Sequence, residues 1–457
     1  MSSEASDDRR IRAARATAAG SQAFSAGNND EAAAHFGVAA LLTPDAAQAH
    51  NNLGVALRKG GRVEAAVACY RRGLALDQRD PALYSNMGNA LRELGHLEEG
   101  EAMLRRAVEL APDNRSFYYN LALLLRDLRR IPESSAMLEE LLAEAPENGD
   151  YAWDLALTRL HQCDYVRGFE GYEARWRLTR SPPRKFPGTR LERGMDVKGK
   201  RVFLHSEQGF GDALQFARFV PMLAAQGAKI ILECMPELIE LFGTLPGVTA
   251  VVEKHARPPE YDLWAPMLSL AHILGTTWDN LPAEVPYLTS PRRLVRPLDK
   301  PPGSRLKVGL VWAGKTTPRD RSWPLDRLLP LFTDPRVAFY SLQMGPRTGD
   351  LATLGVDRLL RDLGGQVKSF ADTAAVMSDL DLIITIDTSV AHLAGALGRP
   401  VWVLLRYVSD WRWLDEPEDC AWYPTMRLFR QADPFDVDGP VARMAAALKD
   451  LADATPA

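Results

Sequence analysis

Cysteine is scarce and scattered: the four, Cys69, Cys163, Cys234 and Cys420, form no CxxC pair that could clip a zinc ion or a redox disulfide. They are expected to be reduced core thiols. No apolar run approaches the roughly 20 residues of a membrane span, and the opening Met1-Ser-Ser-Glu-Ala-Ser-Asp-Asp-Arg-Arg lacks the apolar stretch of a secretory signal. The cytoplasm is the expected compartment. An excess of positive charge is missing too: 55 Lys and Arg face 59 Asp and Glu, a formal net charge of -4, so no basic field points to nucleic acid or an anionic membrane. What is present, 46% hydrophobic and 25% charged residues, is the make-up of a soluble globular chain. Its 457 residues suggest about three domains at about 150 each.

The first third repeats with a period of 34. Gly20, Gly54, Gly88 and Ala122 form one small-residue column, and Ala32, Ala66, Gly100 and Ser134 a second. Phe36, Tyr70, Leu104 and Leu138 form a bulky column, while Pro44, Pro112 and Pro146, with Gln78 once in their place, end the units. Small residues let helix A approach helix B, the bulky residue fills the gap between them, and Pro stops helix B. These columns match the tetratricopeptide repeat. Units fall at 13–46, 47–80, 81–114 and 115–148, with a degenerate fifth from Gly149 that closes on the stretch 168–177. Such an array stacks into an α-solenoid whose concave groove suits an extended peptide, so a protein-binding domain is expected over 13–178. Asn51, Asn52, Asn86, Asn89 and Asn120 recur in or near helix A, where poor helix formers suggest amides facing a peptide backbone. A spacer or dimer arm, with those amides simply solvated, is the alternative.

The Pro-rich stretch Ser181–Gly188 breaks the pattern and begins a linker over 179–197. Short β-branched runs then alternate with helical stretches, the texture of parallel α/β sheets. Candidate strands at 201–205, 229–233, 249–252 and 261–264 define a first half over 198–290. After a second linker through Lys300-Pro-Pro-Gly303, strands at 307–312, 337–342, 380–386 and 400–405 define a second half over 302–457. Ligand sites in such sheets lie beyond the carboxyl ends of strands, so the strand-to-helix turns are the ones to question. One turn carries Gln208, Gly209, Gly211 and Asp212. Another carries Lys315, Thr316, Thr317, Arg319, Arg321 and Ser322. The third, Asp387-Thr-Ser-Val-Ala-His392, opens a helix whose free N–H groups and dipole favour a phosphate. The same residues also cap a helix that binds nothing, but the basic Lys315 and Arg321 in the same half tilt the reading toward an anion. Asp379-Leu-Asp381 begins a buried strand, so no metal ion is expected.

Gly209-Phe-Gly-Asp-Ala-Leu together with Asp387-Thr-Ser-Val-Ala-His-Leu-Ala-Gly-Ala-Leu-Gly-Arg-Pro400 resembles the lipopolysaccharide heptosyltransferases, glycosyltransferase family nine, over roughly residues 198–455. The order of repeats followed by this region resembles bacterial repeat-containing glycosyltransferases, including flagellin-modifying enzymes, and the O-linked N-acetylglucosamine transferases of proteins. Phrases such as Glu207-Gln-Gly, Asp410-Trp-Arg-Trp413 and Trp422-Tyr-Pro424 are closer to the bacterial repeat group. The resemblance implies a GT-B fold, two Rossmann-like halves facing a cleft, and an inverting sugar transfer from a nucleotide-sugar donor to a hydroxyl of a protein, flagellin being a candidate. It needs no cofactor beyond the donor. Asp212 matches the family's catalytic base. Gly211, Lys315, Arg321, Ser322, Gln343, Asp387, Thr388, Ser389 and His392 fall on its donor site, Gln343 at the ribose or base edge, although Ser389 stands where the family has glycine. Closure of the halves is expected about Pro301-Pro302. His205 is an alternative base, and Trp411, Trp413 and Trp422 are expected in the core. A transferase acting on saccharide acceptors and a non-catalytic scaffold are the rival readings.

Overall fold

The computed structural model describes residues 3–178, 183–316, 319–415 and 418–456. Part of the expected 179–197 linker, and Thr317 of the second turn, lie outside the described residues. The chain forms two compact units, residues 1–158 and 159–457. An α-solenoid followed by an α/β region is the order expected from the sequence.

In the first unit the helices pair as hairpins: α1 (Ser3–Ser25) with α2 (Asn29–Leu42), α3 (Ala47–Lys59) with α4 (Val63–Leu76), α5 (Pro81–Glu93) with α6 (Leu97–Leu110), and α7 (Arg115–Asp127) with α8 (Ile131–Glu144). Helix α9 (Gly149–His161) begins the degenerate unit. Local chemistry sets the starts: Asp80 accepts from the Ala82 N–H at 2.8 Å with Pro81 at the first helical position, and Asn114 accepts from the Ser116 N–H at 3.1 Å. The small and bulky columns meet as the sequence implies. A Cβ on Gly54 would lie 2.4 Å from the Tyr70 ring, and one on Gly88 2.6 Å from Leu104. Tyr70 and Leu104 are fully buried there.

A further column emerges at the turn inside each hairpin. Gly27, Gly61 and Gly95 adopt φ of 81°, 80° and 85°, and Arg129 and Cys163 continue the left-handed column at 61° and 62°. A non-glycine residue there costs about 1–2 kcal/mol, which the surrounding packing sustains.

Neighbouring A helices are tied by polar pairs, two of them joining residues 35 apart, one more than the repeat period, and a third joining residues 28 apart. Arg58 meets Glu93 at 3.5 Å and Arg92 meets Asp127 at 2.6 Å, while Arg126 reaches Asp154 at 2.9 Å. The asparagine amides join this inter-helix network: Asn86 donates to Asn51 at 2.9 Å and Asn120 to the Ser85 hydroxyl at 3.2 Å. Part of the hydrogen-bonding capacity expected to face a peptide thus connects one repeat to the next.

The second unit carries two sheets. The first contains β1 (Thr189–Arg190), β2 (Arg201–His205), β3 (Lys229–Cys234), β4 (Val248–Glu253) and β5 (Leu263–Pro266), all parallel, in the order β1-β5-β2-β3-β4. The second contains β6 (Leu306–Leu310), β7 (Val337–Ser341), β8 (Leu360–Asp362), β9 (Leu382–Ile386), β10 (Val401–Leu405), β11 (Asp419–Cys420) and β12 (Tyr423–Arg430). Its order is β11-β12-β10-β9-β6-β7-β8, parallel except for β11 against β12. The short edge strands and β12 are additions to the strands expected from sequence. Each sheet has a switch point, where successive crossovers change direction: at β2 in the first, and between β6 and β9 in the second. Crevices at such points are where α/β sheets hold ligands, and the three turns chosen from the sequence follow β2, β6 and β9.

Two glycines of α2 and α3 separate packing from propensity. Gly54→Val should lose about 2–3 kcal/mol, because the rigid buried Tyr70 ring has to move. Gly37→Ala, with nothing within 4 Å of the added Cβ in mid-helix, should gain about 0.5–1 kcal/mol. Urea denaturation of the two variants checks both signs.

Candidate active site

After β2 the chain turns through Glu207-Gln-Gly209 into the helix Phe210–Phe216, whose first turn carries Gly211 and Asp212. Glycine is required at 211 by close approach: a Cβ would sit 2.9 Å from His392 Cδ2 and 3.7 Å from Ser389 Cα. The first turn of this helix therefore lies against the first turn of the helix Ser389–Ala396, which follows β9. Gly211, Ser389 and His392, chosen separately from the sequence, are brought together.

Asp212 is half-buried and not free. Its Oδ1 accepts from Arg412 Nη2 at 2.7 Å, and Arg412 Nη1 donates to Asp410 at 2.8 Å. Arg412 Nε donates to the amide oxygen of Gln215, and the guanidinium lies 4.5 Å from the Trp411 ring centroid. Arg412 is itself buried, so its charge is balanced by two carboxylates and a ring face instead of by water. Burial pushes the Asp212 carboxyl above the usual aspartate range; Arg412 pulls it down and Asp410 pushes it up again.

Across the same cluster, Arg321 Nη1 donates to Asp387 Oδ2 at 2.9 Å. Burial likewise raises Asp387, with Arg321 opposing it and Asp410 adding to it. Two guanidiniums and three carboxylates thus converge from the turns after β2, β6, β9 and β10. Thr388 caps the helix, accepting from the Val390 N–H at 3.3 Å. The Ser322 hydroxyl accepts from the Gly314 N–H at 3.2 Å, and a Cβ on Gly314 would approach the Thr388 methyl to 3.0 Å. Ser322 accordingly pins the Lys315 turn against the capped helix start. Lys315 is exposed to solvent.

Gln343 has a different task from the ribose contact expected of it. Its Oε1 accepts from the N–H groups of Trp312 and Ala313 at 3.1 and 2.9 Å, and its Nε2 donates to the carbonyls of Ala313 and Met344 at 3.2 and 2.9 Å. With the amide committed to backbone, the side chain shapes the turn after β6 and leaves no group for a nucleotide. His205 is 1% exposed, its ring 4.7 Å from that of Phe186, and burial lowers it to about 3, with Arg184 and Arg175 adding to the effect. No substrate reaches it in this arrangement. Trp411 and Trp422 pack together at 5.8 Å in the core, whereas Trp413 also stacks on His392 at 5.2 Å and 24°.

Sequence reading noted Asp410, Arg412 and Tyr423 only within family phrases and did not place them in the site; the Tyr423 hydroxyl lies 3.0 Å from His392 Nδ1. The available signal was position: Asp410 and Arg412 follow β10, a fourth strand end in the same sheet. Among the described residues no group of three or more His, Cys, Asp or Glu side chains is placed to hold a metal ion, and no helix is long and apolar enough to cross a membrane.

A repeat solenoid joined to a paired-sheet α/β region defines the class. Residues 56–95 match the family described as TPR repeat, and residues 85–134 and 119–183 match the one described as tetratricopeptide repeat, so this part of the chain consists of such repeats. Protein FlbA of Caulobacter vibrioides is 30% identical over 318 residues, 62% of this chain and 52% of FlbA. The chain thus spans about half the length of that curated relative. Among solved structures, Pseudomonas aeruginosa pilF is similar at 23% identity over 36% of this chain and 76% of its own, with a TM-score of 0.33. A thermophilic TPR protein of Thermus thermophilus is similar at 19% identity over 37% of this chain and 93% of its own, with a TM-score of 0.34.

The turn after β2 also carries a titration that can be measured. Glu207 accepts from Arg175 at 2.9 Å, yet burial outweighs that guanidinium and pushes its carboxyl up to about 7. An unfolded glutamate releases its proton near pH 4.3. The folded state therefore holds a proton that the unfolded chain has lost, and the stability this gives is full below about pH 4.3 and disappears as pH rises through 7. Glu207→Gln should remove a pH-dependent component on the order of 2–4 kcal/mol between pH 4 and 8. Unfolding free energies of both proteins across that range measure it.

Proposed function

We propose that the chain is an inverting, metal-independent glycosyltransferase of the family-nine kind, moving a sugar from a nucleotide-sugar donor to a hydroxyl of a protein acceptor selected by the repeats in the cytoplasm. Flagellin is the candidate acceptor. The observation that carries this reading is the convergence of turns from both sheets' switch points on one cluster, Asp212–Arg412–Asp410 beside Arg321–Asp387, against the capped start of the helix Ser389–Ala396. A cleft with anion-binding groups on one wall and a carboxylate on the other suits a displacement at an anomeric carbon.

In that displacement the acceptor oxygen bonds to the anomeric carbon as the carbon–oxygen bond to phosphate breaks, the electron pair leaving with the phosphate. The acceptor proton passes to Asp212. Burial and the nearby Asp410 raise the proton affinity of Asp212 against the pull of Arg412, which suits a general base better than a solvated aspartate would. Lys315, Arg321 and the N–H groups at Ser389 balance the charge on the departing phosphate. The repeats support a protein acceptor because solenoids present extended recognition surfaces.

A thermal-shift series with UDP, GDP, ADP, CMP and CDP tests the donor site, since a ligand of the folded state raises its apparent stability. One nucleotide should stabilise the protein, and no response to any of them removes the reading. Asp212→Asn should keep that shift while transfer falls about 10²–10⁴-fold. Near-normal turnover would remove Asp212 from the base role. Intact-mass analysis of proteins captured by the full chain checks the acceptor class.

A further inference from the structure

His392 sits in the first turn of the helix Ser389–Ala396, 5% exposed, between the Trp413 ring and the bare backbone of Gly211. Its two nitrogens have different surroundings. Nδ1 is 3.0 Å from the Tyr423 hydroxyl. Nε2 lies on the edge facing Gly211, 3.5 Å from where a Cβ would stand, and has no hydrogen-bond partner among the described residues. Because residue 211 is glycine, that edge is left uncovered beside Asp212.

The direction of the Tyr423 hydrogen bond decides what Nε2 can offer. Tyr423 is fully buried and wedged over Gly395 of the same helix, so its hydroxyl has two possible acceptors: His392 Nδ1 at 3.0 Å and the Tyr287 oxygen at 3.4 Å. Tyr287 gives its own proton to the Leu214 carbonyl at 2.9 Å. A hydroxyl bond at 3.4 Å is weaker than one at 3.0 Å, which favours the Tyr423 proton lying on the bond to Nδ1, and with it there the ring proton of a neutral imidazole is on Nε2.

We propose that Tyr423 is a positioning residue that fixes His392 as a neutral imidazole protonated on Nε2, presenting a permanent hydrogen-bond donor beside Gly211 to a phosphate oxygen of the bound donor substrate. The ligand in this statement rests on the function proposed above; the tautomer does not. The surroundings hold the ring neutral. Burial comes first, then the guanidiniums of Arg412, Arg218 and Arg321, which face it from the loop after β10, from behind the helix Phe210–Phe216 and from the turn after β6. The carboxylates of Asp212, Asp387 and Asp410 pair with two of these cations and do not cancel their effect on the ring. Burial also keeps the Tyr423 phenol protonated, so the bond to Nδ1 persists through the physiological range. His392 therefore recognises phosphate as a neutral dipole, and its contribution does not fade as pH rises through 6.5.

The test is nitrogen-15 NMR of the full chain with labelled histidine, the His392 ring among the eight histidines being assigned by its loss in His392→Gln. The expected result is a single Nε2-protonated tautomer, constant from pH 5 to 8. In Tyr423→Phe, which removes one oxygen and keeps the ring, the Nδ1 resonance should move to the position of an unbonded nitrogen. In Tyr287→Phe it should stay where it is. An Nδ1-protonated ring, a titration midpoint between pH 5 and 8, or a tautomer change in Tyr287→Phe overturns the assignment. Adding UDP, GDP, ADP, CMP or CDP should shift the Nε2 resonance for whichever nucleotide binds, and Tyr423→Phe should weaken that nucleotide several-fold. Binding that leaves Nε2 unmoved overturns the phosphate contact while the transferase reading stands. Binding by none of them overturns that reading and the phosphate contact together, with the tautomer still read from the free protein.

Discussion

The α/β region depends on a buried cation, the Arg412 guanidinium. It leaves the second sheet on the loop after β10 and ends on Asp212 and Gln215, which belong to the first. Removing such a group from water is costly unless ionic and hydrogen-bonding partners replace the hydration shell, and here Asp410, Asp212, Gln215 and the Trp411 face do so. A second buried cation crosses in the opposite direction. Arg218, from the first half, donates to the Trp422 carbonyl at 2.8 Å and the Pro282 carbonyl at 3.0 Å, and lies 4.5 Å from the Tyr423 ring centroid. The halves are thus stitched both ways beside the Asp212–Arg412 cluster, and any opening about Pro301-Pro302 has to separate charges already withdrawn from water.

The solenoid rests on a different balance. Its hairpins close by small residues meeting large ones, whereas its stacking adds polar pairs such as Arg92–Asp127 between successive A helices. Because those pairs join residues one position off the repeat period, they depend on how neighbouring helices rotate against each other.

Much of this was legible in the sequence, and the omissions have physical causes. The 34-residue columns were readable because each holds one size class, and the helix contacts admit little else. The left-handed turn column was not, since Arg129 and Cys163 interrupt its glycines and conformation leaves no mark on composition. The turns after β2, β6 and β9 could be found from strand ends alone. The turn after β10 escaped because Trp411 and Trp413 flank Arg412 and read as core, which they are, while concealing the charge between them. Gln343 shows the converse. A polar residue at a strand end marks a ligand contact and a turn clamp equally well in sequence, and only the four backbone partners of its amide tell them apart.

The arginines of the cluster already have ligands of their own. Asp212 and Asp410 on Arg412, and Asp387 on Arg321, are carboxylates held in place by the fold. A tethered group competes at an effective concentration far above that of a free solute, on the order of millimolar or more even for flexible tethers. A small free anion therefore has to compete with carboxylates already in place. On the function proposed above, a donor that gains further contacts through its sugar and its base would displace a carboxylate where a bare anion would not, so the cluster would select for size as well as charge.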